Sequence, residues 1–131
     1  MSQENVDLTY RAYDAFNRRD LDAHLALMDD DVENVPRAEL MEGTFRGHDG
    51  IRSWWENLFG VFPDFAIEVV EVRDLGDVTL AAVHQSGRGA SSGLASDDTV
   101  WHVARWRRGK CVWWASFKTW DEALEAVGLS E

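Results

Sequence analysis

Carboxylates and imidazoles are the side chains of this sequence that could move protons near neutral pH. The stretch DDDVENVP (29–36) contains Asp31 and Glu33, two residues apart. An apolar pocket would raise the pKa of either carboxyl group enough for it to act as an acid or a base. The alternative is that residues 29–31 form a solvated turn and that Glu33 occupies an exposed strand position.

The chain has four histidines, which lie at positions 24, 48, 84 and 102. No two of them have the spacing of zinc ligands and there is a single cysteine, Cys111, so we expect no metal site. We also expect no cofactor, because GRGASSG lacks the lysine and the following helix of a phosphate-binding loop. His84 is a candidate general base; the alternative is a histidine at the surface or at the edge of the core. We expect His102 and Cys111 to be structural.

The stretch GKCVWWASF (109–117) places Trp113 beside Trp114 after a Gly-Lys turn. Neighbouring residues of a strand point to opposite faces of a sheet, so a strand here would present a large ring on each face. The preceding TVWHVARW (99–106) is a second predicted strand, and a two-residue turn at positions 108 and 109 joins the two strands in a hairpin.

This turn predicts a register that sorts the hairpin side chains into two apolar faces. One face would hold Trp101, Val103, Arg105, Trp114 and Ser116, and the other Val100, His102, Ala104, Trp106, Cys111, Trp113, Ala115 and Phe117. Burial of one large ring is worth roughly 2–3 kcal/mol, so neither face is stable in water. We expect helices to cover the first face and a second copy of the chain to cover the other, which gives a homodimer through the outer face of the sheet. The alternative is that the terminal helix or a loop folds over it.

The composition limits which binding partners and which cell compartment we expect for the protein. With 13 Lys+Arg and 24 Asp+Glu the net charge is −11, and an acidic surface repels nucleic acid and anionic lipid, so we expect neither a nucleic-acid nor a membrane partner. No apolar run approaches the about 20 residues that span a bilayer, and MSQENVDLTY lacks the layout of a secretion signal. Together with the single cysteine, these features predict a cytoplasmic protein.

The periodicity of the apolar residues predicts the elements. Helical spacing predicts helices over residues 2–17, after the cap residue Asp20, and over 48–62, and a two-residue period then predicts strands over 65–77 and 78–89. The stretches 38–47 and 90–97 are predicted loops. A last helix is predicted over 119–129, with Thr119 and Gly128 at its ends.

This order predicts a single domain over residues 1–131. The predicted fold class is α+β: three N-terminal helices packed on a curved antiparallel sheet, with a short C-terminal helix.

Four stretches together resemble the SnoaL-like branch of the nuclear transport factor 2 superfamily: AYDAFNRRDLDAHLALMDDDVENVP, TFRGHDGIRSWWENLF, FPDFAIEVVEV and GKCVWWASFKTWDEALEAVGL. That superfamily also contains ketosteroid isomerases, limonene epoxide hydrolases and polyketide cyclases. The resemblance implies a conical pocket between the curved sheet and the helices, and dimerisation through the outer face of the sheet.

The resemblance also implies roles for particular positions. The base carboxylate of the isomerases falls at Asn34 or Val35, neither of which is a base, and the neighbouring Glu33 would face the other way. The acidic donor falls at Trp101, and the helix tyrosine falls one position from Tyr13. Steroid isomerisation is therefore not predicted.

Two other branches of the family suggest other acids. SnoaL-type cyclases rely on an aspartate and neighbouring polar groups, and Asp31 or Glu33 could serve in that role. Limonene epoxide hydrolases use an arginine between two aspartates; Arg105 could orient an acid, but two flanking aspartates are missing. An edge arginine stacked on tryptophan is the alternative.

The predicted pocket is aromatic with a few polar points. Its walls would be Trp54 or Trp55, Phe59, Trp101 and Trp114, and its polar points Tyr13, Gln85, Arg105 and Ser116. Such a cavity suits a small, mostly hydrophobic molecule with one or two polar groups. The predicted function is that of a small-molecule pocket protein, an isomerase or cyclase that acts on a small hydrophobic carbonyl compound by carboxylate acid–base chemistry. The alternative is a non-catalytic ligand-binding or dimeric association domain.

Overall fold

The structure is a computed structural model that describes residues 2–36, 44–88 and 95–128. It contains ten elements in chain order: α1 (Ser2–Asn17), α2 (Leu21–Ala26), β1 (Met28–Val35), β2 (Phe45–Arg46), α3 (Gly47–Val61), β3 (Ala66–Asp74), β4 (Val78–Arg88), β5 (Ala95–Arg107), β6 (Lys110–Phe117) and α4 (Trp120–Ala126). In these three segments no helix has the length and apolar character needed to cross a membrane.

The α+β class is confirmed, but two details of the prediction are wrong. The six strands form one sheet in the order β2-β1-β6-β5-β4-β3, and β1 runs parallel to β6, so the sheet is mixed rather than antiparallel. The helices are not grouped as three at the N-terminus, because β1 and β2 lie between α2 and α3 in the chain. The predicted loop over 38–47 lies mostly outside the described residues, but its last part contains β2 and the start of α3. The predicted loop over 90–97 also lies partly outside them, and its last residues begin β5.

Helix α1 packs against the sheet through an apolar stripe and a buried hydrogen bond. Leu8, Ala12 and Phe16 recur at helical spacing and are buried. The hydroxyl of Thr9 lies 2.8 Å from that of Thr79 on β4, which also accepts a hydrogen bond of 3.0 Å from Trp106 Nε1. Because these buried polar groups satisfy one another, α1 can lie directly on β4 and β5.

The C-terminal end of α1 is bonded to the start of β3. The Asn17 side chain accepts a bond of 3.0 Å from the Ile67 backbone N–H and donates one of 2.7 Å to the Ile67 carbonyl. Arg19 donates to the carbonyl of Phe65 at 2.6 Å, and its guanidinium lies 3.7 Å from the centre of the Phe59 ring. These contacts fix the helix against the edge strand of the sheet.

The β5–β6 hairpin has the predicted two-residue turn, with Arg108 at φ 53° and Gly109 at φ 78°. Arg107 pairs with Lys110 and Trp106 with Cys111, as the sequence predicts. The next pair is Arg105 with Trp113, so Val112 is an extra residue and the strand contains a β-bulge.

Because of the bulge, the residues of β6 that follow Val112 share a face with different residues of β5 from those the sequence predicts. Side chains of Trp114 and Ser116 share the inner face with Ala104 and His102, whereas Trp113 pairs with Arg105 and Phe117 with Trp101. The prediction that Trp101 and Arg105 share a face with Trp114 is therefore wrong, because it assumed a regular ladder. Cys111 and His102, predicted to lie on the outer face, lie on the inner face for the same reason.

The outer face is partly covered by α4. Thr119 caps this helix by accepting a bond of 3.1 Å from the backbone N–H of Glu122, as predicted. The helix buries Ala123 and Leu124 against the outer side chains of the sheet, and Arg73 lies 4.4 Å from the centre of the Trp120 ring. Trp101, Trp113 and Phe117 are only partly buried there. The alternative that the terminal helix folds over the outer face is thus correct for part of that face.

We expect Asn17→Ala to lower the free energy of unfolding by about 1–3 kcal/mol, because two backbone groups of Ile67 lose their partner. Chemical denaturation measures this value. The matched control is Arg18→Ala in the turn that follows α1, whose exposed ion pair with Asp14 is worth at most about 1 kcal/mol. Equal losses in the two variants would contradict the assigned contact.

Candidate functional site

A small cavity lies between α1, α2, α3 and the inner face of the sheet. Its volume is about 20 Å³, which is room for one water molecule. It is lined by Ala12, Tyr13, Phe16, His24, Met28, Asn34, Ile51, Trp54, Ile67, His102 and Trp114. Among the described residues, no aspartate or glutamate lines this cavity.

A buried tyrosine–histidine pair forms the most reactive part of the lining. The Tyr13 hydroxyl lies 2.7 Å from His102 Nδ1, and both side chains are buried. Trp114 meets both rings with its edge, at 5.3 Å from Tyr13 and 5.7 Å from His102, which fixes their positions. A neutral imidazole carries one N–H and one lone pair, so the tautomer of His102 decides whether the Tyr13 hydroxyl donates to Nδ1 or Nδ1–H donates to the Tyr13 oxygen.

Two N–H groups of the lining lack a hydrogen-bond partner within the described part of the chain. Asn34 is 2% exposed and its Nδ2 has no partner; it lies on β1, opposite Trp114 of β6. Trp54 Nε1 is also buried and without a partner, and its ring stacks on Phe16 at 5.4 Å. A buried donor without an acceptor is costly, so these two groups are ready to bind an oxygen atom.

His24 is a second buried histidine of the cavity wall. Its Nδ1 lies 3.3 Å from the Ala12 carbonyl oxygen, and its ring packs on Trp55 at 5.3 Å. Burial lowers the pKa of His24 from 6.5 to about 4, although the bond to Ala12 acts in the opposite direction. His24 is therefore neutral at pH 7.

The structure brings three of the predicted pocket residues to the cavity, namely Tyr13, Trp54 and Trp114. Gln85 and Ser116 are buried on the inner face of the sheet but do not line the cavity. Trp55 and Phe59 pack in the surrounding core, where both contact Phe16. The cavity therefore lies deeper, and nearer to α1, than the sequence predicts.

The remaining predicted site residues lie on the outer face. Asp31, Glu33 and Arg105 line an open groove of about 520 Å³ together with Trp113 of β6, and Glu33 pairs with Arg46 at 2.9 Å. His84 lies on β4 in the alternation of Val78 and Leu80, which face α4. Trp101 also lies on that face. Trp101 and Arg105 therefore do not line the cavity, and Asp31, Glu33 and His84 also lie outside it. The catalytic role of Asp31, Glu33 or His84 stays a prediction.

Sequence reasoning did not select three polar residues of the cavity: Asn34, His24 and His102. His102 was missed because the bulge at Val112 changes the register by one residue. Asn34 occupies the strand position at which the resemblance places a base. Sequence reasoning does not select it, because an amide side chain cannot act as a base. For His24 the sequence contains one signal of burial: the residue lies one helical turn after the cap residue Asp20, beside Leu25, which is buried.

Cys111 is a buried residue, and the described residues contain no cluster of metal-ligating side chains. Cys111 is fully buried and burial raises its pKa to about 12, so its thiol is not a nucleophile at neutral pH. Over residues 2–36, 44–88 and 95–128 the structure contains no group of three or more histidine, cysteine, aspartate or glutamate side chains placed to hold a metal ion.

Comparison with known proteins agrees with this architecture. The model of the SnoaL-like domain family matches residues 10–114, so the chain belongs to the SnoaL-like domain family. None of the curated proteins with which the chain was compared matches it significantly.

Several solved structures have the same fold. An NTF2-like protein of unknown function from Burkholderia pseudomallei is 21% identical, with a TM-score of 0.80 over 96% of both chains. TerC co-crystallised with polyporic acid is 22% identical, with a TM-score of 0.78 over 88% of this chain and 92% of that chain. A candidate SnoaL-like polyketide cyclase from Jannaschia is 17% identical, with a TM-score of 0.79 over 88% of this chain and 85% of that chain. At these identities the likeness shows the fold alone.

The lowered pKa of His24 predicts acid-sensitive stability. As the pH falls below 6.5 the unfolded chain binds a proton at His24 while the folded chain does not, so His24 contributes stability above pH 6.5 and loses it as the pH approaches 4. Each pKa unit corresponds to about 1.4 kcal/mol, so this loss reaches roughly 3 kcal/mol. We expect urea unfolding of His24→Gln to show a shallower fall of the unfolding free energy between pH 7 and pH 4. Parallel curves for the two proteins would contradict the assignment.

Proposed function

We propose that the protein binds a small, mostly apolar carbonyl compound in the cavity and that the Tyr13–His102 pair moves a proton to or from it. The observation that carries the proposal is the set of polar groups in the lining of one apolar cavity. Tyr13 and His102 are joined by a hydrogen bond, and the N–H groups of Asn34 and Trp54 have no partner within the described residues. Apolar cavities of proteins do not hold such groups without use for them.

These groups can act together on a carbonyl compound. Removal of a proton next to a carbonyl group places negative charge on the carbonyl oxygen, which becomes an enolate. Buried N–H donors that are already in place stabilise such a charge without reorganisation, and Asn34 and Trp54 have this position. The Tyr13–His102 pair would hold the proton that the carbon loses and return it to another atom of the same molecule. The proposal therefore replaces the predicted carboxylate by an imidazole.

The size of the cavity sets a condition on binding. About 20 Å³ does not admit a molecule of several heavy atoms, so rings of the wall must move when a ligand enters. The structure of TerC with polyporic acid supports the view that a fold of this kind accepts an organic molecule.

A non-catalytic ligand-binding domain is the second candidate. The observation in its favour is that Asp31 and Glu33, the acids that the sequence offers, lie in the outer groove. In that case Tyr13, His102 and Asn34 would orient a ligand by hydrogen bonds and leave its covalent structure unchanged.

We also propose that the protein is a cytoplasmic homodimer joined through the outer face of the sheet. Trp101, Trp113 and Phe117 are only partly buried by α4. The adjoining groove contains Arg105 and Arg107 beside Asp29, Asp31 and Glu33. A two-fold axis could place the arginines of one copy opposite the carboxylates of the other, so this surface is complementary to itself.

Exchange of the α-hydrogens of acetophenone for deuterium, followed by NMR in D₂O, tests the proposed chemistry. We expect the protein to accelerate the exchange, and Tyr13→Phe and His102→Asn each to lower the acceleration by about 10²-fold or more, the usual contribution of a positioned acid or base. His84→Asn on the outer face is the control and should exchange as the unchanged protein does. Binding of acetophenone without accelerated exchange would reject the enzyme and favour the binding domain.

Sedimentation velocity tests the dimer. We expect a dimer for the unchanged chain and a monomer for Arg105→Glu, because the change brings like charges together across the interface. The control is Arg18→Glu in the turn that follows α1, since Arg18 does not line the outer groove. A monomer for the unchanged chain at every concentration would contradict the proposal.

A further inference from the structure

His24 has a defined tautomer, and this follows from one hydrogen bond. A carbonyl oxygen can only accept, so the proton of the contact with Ala12 must lie on His24 Nδ1. A neutral imidazole carries a single N–H, and burial keeps His24 neutral at pH 7. The other ring nitrogen, Nε2, therefore presents a lone pair.

This lone pair lies at the cavity wall. His24 lines the cavity and is 6% exposed, and the structure gives its Nε2 no hydrogen-bond partner among residues 2–36, 44–88 and 95–128. The ring is fixed in place by Phe16 at 6.2 Å and Trp55 at 5.3 Å. A lone pair that accepts no hydrogen bond from the protein is available to a donor group of a ligand.

The cavity thus has two kinds of polar point. Asn34 Nδ2 and Trp54 Nε1 can only donate, whereas His24 Nε2 can only accept. Asn34 lies on β1 and Trp54 on α3, whereas His24 lies on α2, so the acceptor comes from a different element of the wall. A simple ketone would satisfy the donors and leave the lone pair of His24 unpaired.

We propose that His24 is a specificity-determining residue that accepts a hydrogen bond from a hydroxyl group of the ligand, so that the ligand class is a small hydroxy-carbonyl compound. This inference rests on the proposed function, since it takes the carbonyl oxygen to lie at Asn34 and Trp54. It adds a second polar group to the ligand and assigns a role to a histidine that the proton transfer does not use.

A rival account pairs His24 within the protein. Trp55 Nε1 is buried without a partner in the described part of the chain, and its ring contacts His24. A rotation of Trp55 that brings its N–H to His24 Nε2 would satisfy both atoms and leave no preference for a hydroxyl group. The experiment must therefore compare a ligand that has the hydroxyl group with one of equal shape that lacks it.

Isothermal titration with 4-hydroxyacetophenone and 4-methylacetophenone provides this comparison, because the two probes differ by a hydroxyl and a methyl group. We expect the unchanged protein to bind the hydroxy compound about tenfold more tightly, which corresponds to one hydrogen bond to a buried acceptor. In His24→Phe the two compounds should bind about equally tightly, and the affinity for the methyl compound should stay within about twofold of that of the unchanged protein. His24→Gln, which keeps an acceptor, should retain part of the preference.

A measurement on the unchanged protein covers the case in which His24→Phe does not fold. With ¹⁵N-labelled histidine, the Nε2 resonance of His24 should move on addition of 4-hydroxyacetophenone and much less on addition of 4-methylacetophenone. Equal binding of the two probes, a preference that persists in His24→Phe, or equal shifts of Nε2 would overturn the inference and leave the proposed function standing. If neither probe binds, the proposed function itself fails together with the inference.

Discussion

The arrangement of the interior depends on one extra residue in β6. Because Val112 forms a β-bulge opposite the step from Arg105 to Trp106, the two neighbouring tryptophans of the strand are distributed to opposite faces in a fixed way. Trp114 goes to the cavity, where its edge holds Tyr13 and His102, and Trp113 goes to the outer groove. A strand without the bulge would place Trp113 beside Ala104 and would remove the ring that positions the tyrosine–histidine pair.

The second constraint is the cost of buried polar groups. The structure meets it by pairing in most places, as in the network of Thr9, Thr79 and Trp106 that attaches α1 to the sheet. Four buried side-chain atoms have no partner among the described residues: Asn34 Nδ2 and Trp54 Nε1 belong to the cavity lining, whereas Trp55 Nε1 and Gln85 Oε1 lie outside it. The two N–H groups of the lining can form hydrogen bonds with a bound molecule, and they are the physical basis of the proposed site.

The sequence predicts the local structure well where short-range patterns decide it. The bounds of α1, the Asp20 and Thr119 caps and the two-residue turn at Arg108 and Gly109 follow from spacing and from backbone preferences, and all are present. The resemblance to the SnoaL-like family is confirmed by the match over residues 10–114. The bounds of α1, the two caps and the turn depend on residues within a few positions of one another.

The same reasoning fails where tertiary pairing decides the outcome. The sequence has no strong signal for the bulge, so the faces of β5 were inverted and His102 was placed outside while Trp101 and Arg105 were placed inside. Nor does it show that β1 pairs with β6 in parallel, which places Asn34 opposite Trp114. Asp31, Glu33 and His84, which the sequence offers as reactive groups, lie outside the cavity.

The location of a bound ligand tests the account most directly. Intermolecular NOEs between ¹³C-methyl acetophenone and the ring protons of the protein report which side chains surround it. We expect NOEs to Trp54, Trp114 and Tyr13, and none to Trp101 or Trp113. NOEs to the outer pair without any to the inner rings would show that the cavity is only the packed core of the domain.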